Sequence, residues 1–121
     1  MKYSKIVAFT IISLLICSCG KQTIYSLSIN TSLTNQQTVQ PGNSFDLTIE
    51  AIDEDGIASV NVDIPALAFS EVFNDINEKE WSFTRSIVVN ENISSNTATI
   101  TVTIVDKNGN EHIEHSTLTI L

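Results

Sequence analysis

The feature that most constrains this chain is the strict alternation of apolar and polar residues, which recurs in several separate segments. Between residues 97 and 104 threonine alternates with an aliphatic residue, and residues 45–51 alternate in the same way. Successive side chains of a strand point to opposite faces of a sheet, so each segment predicts a strand with one core face and one wet face. The alternating segments are rich in β-branched residues, which favour strands. The sequence therefore predicts an all-β fold.

Further strands are predicted at 25–29, 58–64, 81–89 and 113–120, and a short strand over 69–73 would bring the total to about seven. Residues 65–80 fit no single period and predict either a short strand over 69–73 or one helical turn. In the last strand Ile113 is out of phase with Leu118 and Ile120, which predicts a β-bulge near His115 or Ser116. Turn residues separate these segments at Pro41-Gly42, Asp53–Gly56 and Lys107–Asn110.

Composition narrows the class of protein. The chain has 121 residues, a formal net charge of −8 and 42% hydrophobic residues, so it holds one ordinary domain and is too apolar to be disordered. Its 14 acidic residues outnumber the six basic ones, which argues against nucleic acid as a partner. Both cysteines, Cys17 and Cys19, lie in the first 20 residues, so the rest of the chain has neither a disulfide nor a thiol nucleophile.

The first residues form a targeting segment. Lys2 and Lys5 precede an apolar run from Ile6 to Ile16, which is too short for the roughly 20 residues of a transmembrane helix. The run ends in Ile16-Cys17-Ser18-Cys19, which resembles the lipobox of bacterial lipoproteins. The resemblance implies a signal peptide over 1–18, cleavage before Cys19, acylation of Cys19 and retention on a membrane, with residues 19–23 as a short tether. A soluble secreted product is the alternative, because cysteine at position 17 departs from the usual lipobox.

Residues 24–121 are expected to form a single module. The segments 52–60 and 105–110 resemble strand junctions of bacterial surface immunoglobulin-like (Ig-like) modules, and the resemblance extends over Val39–Leu121. It implies an Ig-like or fibronectin-type-III-like antiparallel β-sandwich of about seven strands, as does the number of strands itself.

In such a sandwich the loop with Asp53 and Asp55 and the loop with Asp106 lie at the same pole, called here the acidic pole. Carboxylate and amide oxygens are the ligands that calcium prefers, so Asp53, Asp55 and Asp106 are candidate calcium ligands. The alternative is that these residues only form turns and carry solvated charge. His112 and His115 lie three apart in a strand and point to opposite faces unless a bulge realigns them, so they are expected to be single exposed histidines and not a transition-metal pair.

No catalytic arrangement emerges from the sequence, and a sandwich of this size has few ways to enclose a deep pocket, so an enzyme is not expected. The first strand begins at the acidic pole, and the tether residues 20–23 reach about 14 Å at most. That pole is therefore expected to face the membrane, with the polar loops 31–43 and 90–96 at the distal pole.

The sequence thus predicts a lipoprotein of the bacterial envelope, most simply of the outer membrane, acting as a non-catalytic binding or adhesion module for a glycan or protein. The alternatives are a structural subunit of a larger envelope complex and a calcium-dependent Ig-like domain.

Overall fold

The computed structural model describes residues 24–121, which contain seven strands and one 3₁₀ turn. The expected signal peptide 1–18, Cys19 and the tether through residue 23 lie outside the described residues. In chain order the elements are β1 (Tyr25–Thr31), β2 (Thr38–Val39), β3 (Ser44–Ile64), the 3₁₀ turn (Pro65–Leu67), β4 (Phe69–Phe73), β5 (Glu78–Val88), β6 (Thr97–Asp106) and β7 (Glu111–Ile120).

The strands form two layers that share β3. The first half of β3 pairs with β1 on one side and with β5 on the other. The second half pairs with β4 and β6, and β6 continues the second layer to β7 and β2. The prediction of an all-β, Ig-like sandwich of about seven strands is confirmed.

The core lies between the layers and comes from the apolar sides of the alternating segments. Leu47 and Ile49 of β3 and Ile100 and Ile104 of β6 are fully buried. Each such side chain is worth roughly 1.5–3 kcal/mol when it is taken from water into the core. The alternation in the sequence therefore reports directly which face of each strand packs inward.

The predicted turn at Asp53–Gly56 is a bend within one strand, which corrects the expectation of two separate strands. The strand β3 runs through these residues, and its pairing register with β5 shifts between Ile52 and Ile57. Gly56 has a φ of +90°, a conformation that residues with a Cβ rarely adopt. The bend moves the chain from one layer to the other without ending the strand.

The sheet is not wholly antiparallel. Among residues 24–121 the one parallel pairing is that of β2 with β7, where Val39 lies opposite Ile120. The chain crosses between layers after β1, so β2 runs alongside the last strand in the same direction. The irregular segment 65–80 contains both predicted alternatives, a single 3₁₀ turn and the strand β4.

The bulge predicted near His115 or Ser116 is wrong. The strands β6 and β7 pair without a break from Thr97 opposite Thr119 to Val105 opposite Glu111. Leu118 and Ile120 face the core, whereas Ile113 is 48% exposed on the outer face. The apolar character of Ile113 therefore led to the wrong prediction of which residues face inward in the first half of β7.

Arg85 of β5 forms an ion pair with Glu71 of β4 and places its guanidinium 4.9 Å from the ring centre of Phe83. No helix within the described range 24–121 has the length and apolarity needed to cross a bilayer.

Candidate functional site

The acidic pole holds a cluster of buried ionisable side chains. Asp53 follows the inward-facing residues of the first half of β3, and Asp106 follows those of β6. Both aspartates continue the inward face by one more position, so both are buried, with 0% and 1% of their surface exposed. A buried carboxylate needs partners to offset its lost hydration.

The two carboxylates differ in how well they are satisfied. Asp106 Oδ1 accepts hydrogen bonds from the backbone N–H groups of Asn108 (2.9 Å) and Asn110 (2.8 Å), and Oδ2 accepts one from the Asn110 side chain (3.1 Å). Asp53 Oδ1 accepts a hydrogen bond from the backbone N–H of Asp55 (2.9 Å), while Asp53 Oδ2 has no hydrogen-bond partner among the described residues.

The pKa values of the two groups diverge accordingly. Burial raises the pKa of Asp53; the Asp55 N–H opposes this rise, the Asp106 carboxylate adds to it, and His112 opposes it. Burial also acts to raise the pKa of Asp106, but the hydrogen bonds from Asn110 and Asn108 outweigh it and the pKa is lowered. Asp53 is thus the carboxylate whose hydrogen bonding does not offset its burial.

His112 completes the cluster. Its Nε2 atom lies 3.6 Å from Asp53 Oδ2 and has no hydrogen-bond partner within residues 24–121, and the side chain is 15% exposed. One ligand atom from each of Asp53, Asp106 and His112 lies within 4.8 Å of the others. We call these three residues the Asp53–Asp106–His112 cluster.

Tyr25 covers the histidine. The Tyr25 and His112 rings stack with their centres 3.7 Å apart and their planes 11° from parallel. Tyr25 also lies opposite Asp53 in the pairing of β1 with β3, and the Glu54 N–H donates to the Ile24 carbonyl. The chain therefore enters the domain directly beside the cluster.

The candidate calcium ligands are only partly brought together. Asp53 and Asp106 meet as expected, but Asp55 is not in the cluster; it lines a separate cavity of about 550 Å³ with Asn77, Glu78 and Lys107. The expectation of two exposed histidines holds for His115, which hydrogen-bonds Thr101 on the outer face, and is wrong for His112.

A regular strand phase could have identified His112 from the sequence. Counting back by twos from the buried Ile120 and Leu118 leads through Ser116 and Glu114 to His112. The same count predicts the inward position of Asp53 from Ala51 and that of Asp106 from Ile104. The assumed bulge in β7 concealed the third member of the cluster.

The distal pole carries a groove lined by uncharged side chains. Its volume is about 510 Å³, and its lining combines polar side chains with apolar ones, including Leu33, Thr34, Asn35, Gln40, Asn43 and Leu121. The groove lies in the loop 31–43 that the sequence assigned to this pole. Its chemistry is that of hydroxyl and amide groups around an apolar surface.

The loop that forms one wall of this groove is held in an unusual backbone conformation. Asn35, Gln36 and Gln37 have φ values of 50°, 62° and 55°, in the left-handed region. The Gln37 side chain fixes the turn, since it accepts a hydrogen bond from Thr31 and donates to Ser116 and to the Thr117 carbonyl. Backbone strain of this kind persists only where surrounding contacts impose it.

Comparisons with known proteins support the fold. No protein-family model and no curated protein sequence matches the chain. Among solved structures, a Niemann-Pick type C2 protein from Japanese carpenter ant is similar, with a TM-score of 0.54 and 10% sequence identity, over 80% of this chain and 91% of that one. At this identity the likeness concerns the course of the backbone.

Proposed function

We propose that this protein is a non-catalytic binding module, held on the envelope membrane by a lipid on Cys19, that contacts an uncharged ligand through its distal groove. The ligand class that fits best is a neutral glycan. The main support for the proposal is the path of β1, which runs from the acidic pole to the distal pole.

The strand β1 begins at Tyr25 beside the cluster and ends at Thr31, where the loop lining the distal groove begins. Its seven residues span about 20 Å. A chain anchored at Cys19 has only residues 20–23 before the domain starts, so the acidic pole is held near the membrane. The distal groove then points away from it, where a ligand can reach it.

The chemistry of the groove supports a neutral ligand. Thr34, Asn35 and Gln40 offer hydroxyl and amide groups that can donate and accept hydrogen bonds, and Leu33 offers apolar surface for the carbon face of a sugar ring. The acidic excess of the chain disfavours anionic ligands through charge repulsion.

Anchoring is tested by labelling producing cells with a palmitate analogue. The full-length protein is expected to incorporate the label, Cys19→Ser is expected to lose it, and the neighbouring Cys17→Ser is expected to keep it. Release of the unlabelled wild-type protein into the medium would contradict the lipid anchor. Protease treatment of intact cells then shows on which side of the envelope the domain lies.

Binding is tested with the detergent-purified protein on a panel of glycans and envelope proteins. Asn35→Gly removes a side chain of the groove at a position whose φ glycine tolerates, and Gln36→Gly is the matched control outside the lining. Loss of one hydrogen bond is expected to weaken binding about tenfold in the first variant only. Binding to a protein that is unaffected by Asn35→Gly would favour a structural subunit of an envelope complex.

A further inference from the structure

Two buried polar atoms at the acidic pole have no hydrogen-bond partner in the described part of the chain: Asp53 Oδ2 and His112 Nε2. Asp53 is fully buried, and its Oδ2 atom lies next to His112 Nε2. Buried polar atoms without partners are uncommon in folded proteins and each calls for an explanation. A bound cation between them supplies one.

The distance between these atoms matches a metal site. Two ligands of a tetrahedral zinc ion, with bonds of about 2.1 Å, lie about 3.4 Å apart. Asp53 Oδ2 and His112 Nε2 lie 3.6 Å apart, which is longer than an ordinary hydrogen bond. The pair is therefore spaced for a shared ion.

Asp106 supplies a third ligand. The ligand atoms of the three residues lie within 4.8 Å of one another, so a small side-chain adjustment brings all three onto one ion. Two carboxylates and a neutral imidazole balance the charge of a divalent cation. Within residues 24–121 no lysine or arginine forms an ion pair with either aspartate.

We propose that Asp53, Asp106 and His112 bind a divalent transition-metal ion, with zinc as the best fit to the ligand set. Imidazole nitrogen is a preferred ligand of zinc and other transition metals, whereas calcium takes oxygen ligands in larger numbers. Three protein ligands leave a fourth position for water or for a group from a partner.

The surrounding residues hold the ligands in place. The Asn108 and Asn110 N–H groups fix the Asp106 carboxylate, the Asp55 N–H fixes Asp53, and the Tyr25 ring fixes the plane of His112. Such outer contacts orient ligands before the metal arrives. This site lies at the opposite pole from the distal groove, so it stands independently of the proposed glycan binding.

The first test uses the untagged full-length protein in detergent and adds Zn²⁺ while the ring protons of both histidines are followed by NMR. The His112 ring signals are expected to shift and those of His115, the only other histidine, to stay in place. No shift at His112, or equal shifts at both rings, would overturn the proposal.

The second test measures the melting temperature with Zn²⁺ and with Ca²⁺. Zinc at a hundredfold excess over its Kd is expected to raise Tm by about 10 °C, and calcium at the same concentration is expected to leave it unchanged. The zinc effect should vanish in Asp53→Asn and persist in Asp55→Asn, which makes the same charge change two residues away.

A zinc effect that survives Asp53→Asn, or a calcium effect without a zinc effect, would refute the site. Should Asp53→Asn fail to fold, the NMR measurement on the wild-type protein still decides the question.

Discussion

Asp53 Oδ2 and His112 Nε2 lie 3.6 Å apart at the pole where β1 begins, while the neighbouring Asp106 is held by three hydrogen bonds from Asn108 and Asn110. The two aspartates are equally buried but not equally stabilised. Their ionisation is therefore expected to affect folding in opposite directions.

Asp106→Asn is expected to destabilise the protein at pH 7 by about 1–3 kcal/mol, because it weakens charge-assisted hydrogen bonds to a buried group. The pKa of Asp106 is lowered in the folded state, so its contribution is present above the ordinary pKa of aspartate and is lost as pH falls through the lowered value. Urea denaturation at pH 7 and at pH 2 measures this. An equal loss at both pH values would show that the charge is not the cause.

In the metal-free protein Asp53→Asn, unlike Asp106→Asn, is not expected to reduce stability. The pKa of Asp53 is raised, so its contribution is present below the ordinary pKa and is lost as pH rises through the raised value. Asparagine keeps an oxygen for the Asp55 N–H and carries no charge, so at pH 7 stability is expected to stay unchanged or to rise by up to about 1 kcal/mol. Urea denaturation with a chelator tests this. A clear loss of stability would contradict it.

Gly56→Ala is expected to destabilise the protein by about 1–2 kcal/mol, since alanine is strained at a φ of +90°. The added Cβ would lie 3.2 Å from the Lys107 side chain, which can move aside. Gly109→Ala is the matched control, because φ is +87° there and the Cβ meets nothing within 4 Å. Thermal unfolding should give similar losses, and a much larger loss at Gly56 would show that Lys107 is held rigidly.

Gln36→Gly and Gln37→Gly are expected to change the stability of the protein in opposite directions. Glycine relieves the left-handed backbone at both positions, so Gln36→Gly should raise stability by up to about 1 kcal/mol. Gln37→Gly also removes hydrogen bonds to Thr31, Ser116 and Thr117, so a net loss of about 1 kcal/mol is expected. Denaturant midpoints compare the two variants, and a gain at Gln37 would mean that its amide contributes little.

The fold was largely predictable from the sequence because period-two alternation reports burial directly. The alternation placed every second residue of two strands on an inward face, and all of these residues are buried: Phe45, Leu47, Ile49, Ala51, Ala98, Ile100, Val102 and Ile104. The bend at Asp53–Gly56 was not predictable, since aspartate and glycine suit both a turn that ends a strand and a kink within one.

Only part of the candidate site could be predicted from the sequence. Turn residues brought Asp53 and Asp106 to one pole, as the topology of a sandwich requires. His112 was missed because the phase of β7 was taken from Ile113, an apolar residue that lies on the outer face. A single exposed isoleucine outweighed the regular pattern of the strand, and the unbroken pairing of β6 with β7 shows that the regular pattern holds.

Because β3 belongs to both layers, it couples their unfolding. In a sandwich whose layers are joined only by loops, one layer can open while the other persists. Here residues 44–52 belong to one layer and 57–64 to the other within a continuous strand, so fraying of either half loosens the backbone of its neighbour. Hydrogen exchange should therefore show the central amides of both layers opening together, in one cooperative unit.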